Sequence, residues 1–301
     1  MYPSRNEIKN VTVILGSSRS GSSFLFRQLS LLDQIMSPLG EETPFYRLEG
    51  LGRIRRPQDS DEILAENLSE EKISAIFNHL LSDVALSSNV EDSPETRAFF
   101  LKQSVRRLKL QWPSAPEQQI LDGLSALSES SIAVENSQNI LSLVESFGGS
   151  PHIYDGAVAH PENFSLPALF IEEPPFVAPI LRRPPRPEDW PTHTLLLKTS
   201  TNAYRIGVLK KLFPNARIKW ILLTRHPLAA INGLRDGWRS PWFQSHNMSG
   251  VQDLNIPGHS GPWWKFDAPP GWSDFAGAPL ENVCAFQWTS AYQSILKNLQ
   301  A

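Results

Sequence analysis

The sequence predicts a three-layer α/β domain around a mainly parallel central sheet. Three observations carry that expectation. Val11-Thr-Val-Ile-Leu15 is a β-branched apolar run that leads into a glycine-serine turn and then a helical apolar repeat. Two later apolar runs, Thr194–Leu197 and Arg217–Leu223, are each followed by a helix-period segment, and alternating strands and helices build parallel sheets. The 301 residues are 41% hydrophobic and 20% charged, which supplies a sizeable core and excludes wholesale disorder.

The elements follow in order. Gly16 to Ser20 is the turn after the first strand. Phe24, Leu25, Leu29, Leu31 and Leu32 recur at helical spacing, so a helix begins near Gly21. Gln34–Ser37 is a short candidate strand. Asp61–Leu110 reads as mainly helical, with Leu64, Leu68, Ile73, Ile76, Phe77, Leu80 and Leu81 on one interrupted face and a second segment from Pro94. With a helix over Glu117–Leu127, this makes a helical insertion over about 61–127. Ile132–Val134 reads as a short strand and Asn139–Phe147 as the helix behind it. Pro167–Pro191 holds eight prolines, which exclude regular helix and central strand. It reads as an extended surface excursion, with a domain linker as the alternative. The helix Ala203–Phe213 is stopped by Phe213-Pro214-Asn215, and Leu228–Asp236 is the helix after the third strand. From Gly237 to about 281 the chain is rich in Trp, Gly and Pro and reads as an irregular lid, before a last helix over Asn282–Leu299. The chain reads as a single domain over 1–301, without internal repeats.

Composition narrows the function classes. Lys and Arg number 28 against 31 Asp and Glu, and the net charge of −3 argues against a general nucleic-acid binder. A local basic pocket for a small anion remains compatible with it. Cys284 is the one cysteine, so neither an internal disulfide nor a cysteine zinc cluster forms, as in a reducing compartment. Met1–Asn10 is polar and lacks the apolar core of a signal peptide. The longest apolar runs, such as Val11–Leu15 and Trp220–Leu223, are too short to span a bilayer. The expectation is a soluble, cytoplasmic protein without membrane or nucleic-acid partners.

Gly16-Ser-Ser-Arg-Ser-Gly21-Ser22-Ser23 has the Gly-x4-Gly spacing of a phosphate loop, so the domain is expected to be of P-loop type. Small residues let backbone N–H groups approach an anion, and the dipole of the following helix favours negative charge. Hydroxyls at Ser20, Ser22 and Ser23 add donors. A nucleoside triphosphatase carries Lys where this chain has Ser22, and the only cation within the loop is Arg19. The magnesium-holding Asp of a later strand is also missing. Ile218–Thr224 runs instead into Arg225-His226-Pro227, and an Arg there suits a second anionic group. A serine-capped strand-to-helix turn is the alternative for the loop taken alone; Arg225 at a second strand end weighs against it.

Together these two segments resemble the sulfotransferases that use 3′-phosphoadenosine 5′-phosphosulfate (PAPS). Arg19-Ser20-Gly21-Ser22-Ser23 resembles their 5′-phosphosulfate loop, with its Lys/Arg-Ser-Gly-Thr-Thr type core. Arg225-His-Pro-Leu-Ala-Ala-Ile-Asn-Gly233 resembles their 3′-phosphate motif, an Arg at a strand end and usually a Ser eight residues on. The eighth position here is Gly233, so Arg225 carries over and the Ser contact does not. Asn232 or a backbone N–H is the expected substitute. Asn232-Gly-Leu-Arg-Asp-Gly-Trp238 resembles a bacterial branch of these enzymes.

Sulfuryl transfer to a hydroxyl needs a base, charge stabilisation and in-line alignment, and cationic side chains can supply the second without a metal. Gly40-Glu41-Glu42-Thr43 resembles a segment of tyrosylprotein sulfotransferases and, more loosely, the Glu-x-x-Phe segment of heparan-type enzymes. Both resemblances select Glu42 over Glu41 as general base; on spacing alone the pair also reads as solvated loop charges. Pro44 stands where the tyrosylprotein enzymes carry a substrate-binding Arg, which argues against a protein-tyrosine acceptor. Lys198, after Leu195-Leu-Leu, sits at a strand end where α/β ligands bind. It resembles the family lysine that contacts the transferring sulfate, with an edge lysine as the alternative. Cytosolic members carry His two residues later, where this chain has Ser200, which favours a Glu base.

The resemblance thus implies PAPS as donor and PAP as product, with no metal. Arg19 and Gly21–Ser23 hold the 5′-phosphosulfate and Arg225 the 3′-phosphate. The expected acceptor is a small-molecule or carbohydrate hydroxyl, with Glu41, Arg47, Trp238, Trp242 and His246 as candidate contacts. The Trp-rich tail reads more as packing than as pocket. The Arg53/Arg55/Arg56 and Arg182/Arg183/Arg186 clusters read as solvated, and His226 equally as a packed strand-end residue or a nucleotide contact. A degenerate P-loop kinase or nucleotide hydrolase is the second enzyme reading, and a non-catalytic nucleotide-binding protein the third. These enzymes usually continue past the last helix with another strand, so the chain is expected either to be truncated at Ala301 or to close its site with the Trp-rich segment.

Overall fold

The computed structural model describes residues 3–111, 116–118, 120–122, 153–154, 157–158, 182–239 and 245–300. The readings at 132–134, 139–147, Trp242, most of 117–127 and the first part of the proline-rich stretch lie outside the described residues.

Five strands form the main sheet: β1 (Asn10–Leu15), β2 (Ile35–Pro38), β3 (Val84–Leu86), β6 (Thr194–Lys198) and β7 (Arg217–Leu222), in the order β3-β2-β6-β1-β7. Between β3 and β6 in the chain, β4 (Ile153–Tyr154) and β5 (Ala157–Val158) make a separate two-stranded pair. Strand β1 lies between β6 and β7 and is parallel to both, with Ile14 beside Lys198 and Leu15 beside Leu222. Val11, Val13, Ile14, Leu15 and Leu195–Leu197 are all buried, the unbroken apolar run of strands covered on both faces.

The first helix, α1 (Ser22–Leu29), starts where the sequence predicts, but its apolar residues are not its buried ones. Ser22 is its one buried residue, whereas Phe24, Leu31 and Leu32 are exposed. A short helix α2 (Thr43–Leu48) follows β2. The segment expected to be helical holds α3 (Glu70–Leu81) and α4 (Pro94–Gln111), but also strand β3, antiparallel to β2. Three residues that continue an apolar helix pattern leave no period-2 signal.

The arginines of the proline-rich stretch require a correction. Arg182 and Arg183 are buried, while Arg186 is exposed. Arg182 donates to Ser37 Oγ (2.7 Å), Ala85 O (3.0 Å) and Pro38 O (3.2 Å), and burial lowers its pKa to about 10. Arg183 pairs with Asp189 at 2.7 Å, and its backbone bridges to Leu86 at the sheet edge. Backbone pairing with the sheet edge stops at this one bridge before the prolines, and Arg182 reaches the Pro38 and Ala85 carbonyls with its side chain instead. The stretch ends in α5 (Asp189–Thr192), anchored by buried Trp190.

Three more helices complete the described chain: α6 (Ile206–Leu212), α7 (Pro227–Arg239) and α8 (Leu280–Gln300). The Trp-rich segment adds β8 (Ser245–Asn247), antiparallel to β9 (Trp263–Lys265). It packs a second core rather than a loose cover. Trp264 stands edge-on to Trp238 (5.3 Å) and Trp272 (5.2 Å). Each indole N–H has a partner: Gln287 Oε1 for Trp238, Asp267 O for Trp264 and Asp59 O for Trp272. Cys284 lies in this core, its thiol pushed up to about 12 by burial. Helix α8 joins the two cores, with Val283 and Cys284 in the second and Ala291 and Ile295 in the first. Among the described residues no helix is long and apolar enough to cross a membrane.

Candidate active site

Parallel strands deliver their C-terminal ends to one edge, where loops meet a ligand. At this edge the loop after β1 folds tightly. A Cβ on Gly16 would stand 2.9 Å from both Leu223 O and Ser20 Oγ, so only glycine fits there. The turn closes through left-handed Arg19 (φ 64) and Gly21 (φ 95). Gly21 is the N-cap of α1, which has no side-chain cap and no acid in its first turn. That leaves the helix N-terminus suited to an anion. The buried hydroxyls of Ser17 and Ser20 have no hydrogen-bond partner among the described residues.

Lys198 enters from β6. Its ammonium donates to Ser23 Oγ at 2.8 Å and pairs with Glu41 Oε1. The second Glu41 oxygen accepts from Thr199 Oγ1 at 2.8 Å, and Thr43 Oγ1 lies 2.8 Å from Thr199 Oγ1 and 3.0 Å from Thr201 Oγ1. Arg225, exposed after β7, donates to Arg19 O at 3.2 Å. A Cβ on Gly233 of α7 would stand 3.4 Å from Arg19 Cβ and 3.8 Å from Arg225 Nη1. These groups line one cleft of about 140 Å³: Arg19, Gly21–Ser23, Glu41, Lys198 and Arg225, joined by Ser18, Ser200 and Phe266.

Glu42 lies behind that cleft. It is buried, its Oε1 accepts from Asn202 Nδ2, and its Oε2 has no partner. Burial raises its pKa to about 7, against the opposing Asn202 bond. Beside it, Arg205 sits 4.6 Å from the Tyr46 ring centroid and donates Nη2 to Asp61 Oδ1 at 3.2 Å. Burial pushes Asp61 up, but His246, Arg205 and Arg47 outweigh it and hold the carboxyl at about 2. Asp267 accepts from Tyr204 Oη (2.6 Å) and Ser18 Oγ (3.2 Å), and burial raises it to about 6. The cluster therefore continues to the loop itself.

The remaining expected residues divide differently. Arg47 is buried on α2 near Asp61, and His246 Nε2 lies 3.4 Å from Asp61 Oδ2, so both stand at the buried cluster. Trp238 does not reach the cleft; its place in the aromatic core satisfies both its ring and its N–H. Asn232 is exposed on α7, bonded to Asp236 and Arg235, so Gly233 and not Asn232 faces the loop. His226 is exposed. Asp61, Tyr46, Asn202, Arg205 and Asp267 are not legible as site residues, because they belong to no motif and meet only when α2, the turn after β6 and the loops at 61 and 267 pack together. Phe266, next to Asp267, is left-handed at φ 62.

The arrangement can bind an anion through backbone N–H groups and cations while offering two buried carboxylates to a neighbouring group. No curated protein and no solved structure shows a significant match to the chain. The model of the sulfotransferase family matches residues 12–253, from β1 to beyond β8. That span takes in the loop, Lys198, both glutamates and Arg225, and the chain therefore belongs to the sulfotransferase family, enzymes that transfer sulfuryl groups.

Proposed function

We propose that the protein transfers a sulfuryl group from PAPS to an acceptor hydroxyl by in-line displacement. The observation that carries this reading is the meeting of Arg19, Lys198 and Arg225 at one uncapped helix N-terminus. The partnerless buried hydroxyls of Ser17 and Ser20 fit the same anionic guest. The cleft is smaller than the ~300–1,000 Å³ of a pocket that encloses a whole ligand, so it suits the phosphosulfate head.

Arg19, Ser20 and the Gly21–Ser23 backbone would hold the 5′-phosphosulfate, with Arg225 at the 3′-phosphate. Lys198 offsets charge that builds on the leaving oxygen and on the sulfuryl group. The acceptor oxygen attacks sulfur, the bond from sulfur to the 5′-phosphate oxygen breaks, PAP leaves, and the acceptor proton passes to Glu42. A carboxyl with a pKa near 7 suits that role, because about half of it is ionised at neutral pH and the carboxylate is basic enough to take a proton. Glu41 holds Lys198 in place until the donor arrives.

Calorimetry tests the donor reading. PAP should bind more tightly than 5′-AMP, and Arg225→Ala should weaken PAP by about 1.5–3 kcal/mol, the range of a charged hydrogen bond, with AMP unaffected. Equal affinity for PAP and AMP in the unmodified protein would remove the 3′-phosphate site and with it the PAPS assignment.

A further inference from the structure

We infer that the acceptor is an uncharged molecule with several neighbouring hydroxyls, of the sugar or cyclitol class, recognised by Glu42, Tyr46, Asn202 and Arg205. This rests on the reading of Glu42 as the base. Among the described residues Glu42 Oε2, Tyr46 Oη, Asn202 Oδ1 and Arg205 Nη1 are buried and have no hydrogen-bond partner, and their residues are at most 2% exposed. The rest of the cluster is engaged: Glu42 Oε1 with Asn202, Arg205 Nε and Nη2 with Asp61, and the Arg205 guanidinium over the Tyr46 ring. Buried polar atoms are nearly always satisfied, so four lacking partners on two contacting pairs, Glu42–Asn202 and Tyr46–Arg205, whose charges act on one another, point to a ligand that supplies the bonds. The cluster adjoins the donor cleft, since Glu41 and Ser200 both line that cleft.

The four atoms specify what must fill them. Glu42 Oε2 and Asn202 Oδ1 accept, Arg205 Nη1 donates, and Tyr46 Oη does either. A hydroxyl donates and accepts at once, so two or more adjacent hydroxyls meet all four. A phenol or simple alcohol brings one hydroxyl and leaves partners unmet. A carboxylate or phosphate brings no donor for Glu42 or Asn202, and an ammonium brings no acceptor for Arg205. Charge agrees with this, because Arg47 and Arg205 stand against Glu42 and Asp61 with no surplus of either sign.

The Tyr46 hydroxyl makes the inference testable, since it has no bond in the fold to lose. Labelled PAPS is offered with methyl glucoside, myo-inositol, 4-nitrophenol and 1-butanol. Transfer to the first two is expected. Tyr46→Phe should raise their KM by about tenfold, one hydrogen bond's worth, while PAP affinity is unchanged and the melting temperature is unchanged or higher. Preference for the phenol or butanol, no transfer to either polyol by protein that binds PAP, or an unaltered polyol KM in Tyr46→Phe overturns the inference. Failure of the unmodified protein to bind PAP overturns the donor reading instead, and the inference falls with it.

Discussion

Glu41 and Glu42 are joined by one peptide bond yet belong to two differently built regions. Glu41 faces the donor cleft, where both its oxygens are taken, one by Lys198 and one by Thr199. Glu42 faces the buried cluster, with one oxygen on a neutral amide and the other without a partner. The first region balances an ion pair with hydroxyl bonds. The second removes water without supplying a cation in direct contact, and the carboxyl rises to about 7. In the proposed reaction two identical side chains thereby become a lysine counter-ion and a proton acceptor, assigned by surroundings rather than by residue type.

The sharpest way to break this contrast is Glu42→Gln. Loss of a general base lowers transfer by about 10²–10⁴-fold. In the unmodified protein the rate should climb as pH rises through about 7, because only the ionised carboxylate accepts the proton. A labelled-donor pH profile of the variant should lack that limb, and a surviving limb would move the base elsewhere, with Glu41 first in line. Stability should carry the same signature. The folded pKa of Glu42 lies above its ordinary 4.5, so its contribution is full below about 4.5 and is lost as pH rises through about 7. The loss is on the order of 3 kcal/mol, and Glu42→Gln should flatten it in melts between pH 5 and 8.

Glu41→Gln probes the other region and should act on binding. Removing one partner of a buried pair leaves Lys198 uncompensated, at a cost of about 3 kcal/mol. PAP brings the missing negative charge. The variant should therefore melt lower than the unmodified protein without PAP, and its melting temperature should rise more on PAP addition. An equal rise in both proteins would separate Glu41 from the donor site.

The meeting of the loop, Lys198 and Arg225 at one cleft was legible in sequence, and the cluster was not. The loop announced itself through two glycines with four residues between them, and Lys198 and Arg225 followed apolar runs that fix strand ends. Local patterns of this kind survive without tertiary contacts. Tyr46 lies within α2, Asn202 and Arg205 share one turn, and Asp61 and Asp267 come from distant loops, so no recognisable spacing links the set. Trp238 misled for a related reason, since an aromatic after a ligand helix reads alike in a pocket or a core until Gln287, 49 positions on, takes its N–H. Arg182 and Arg183 looked solvated because proline-flanked arginines usually are, and only the carbonyls of β2 and β3 bury Arg182.

The smallest expected effect concerns the helix that backs the donor side. The family motif usually has Ser where this chain has Gly233, and Asn232 was the expected stand-in. Asn232 bonds instead to Asp236 and Arg235 on the exposed face, so Asn232→Ala should leave PAP affinity unchanged. At Gly233 a new Cβ would meet Arg19 Cβ at 3.4 Å, an ordinary contact that requires little movement, and would sit 3.8 Å from Arg225 Nη1. Gly233→Ser thus places a hydroxyl beside the 3′-phosphate arginine and removes a flexible residue from a helix interior. One neutral hydrogen bond is worth about 0.5–1.5 kcal/mol, so PAP should bind about two- to tenfold more tightly. Helix stability should gain a few tenths of a kcal/mol besides. Weaker PAP binding in Gly233→Ser would mean that Arg19 needs the space the glycine leaves, and that this chain holds the 3′-phosphate with Arg225 and backbone alone.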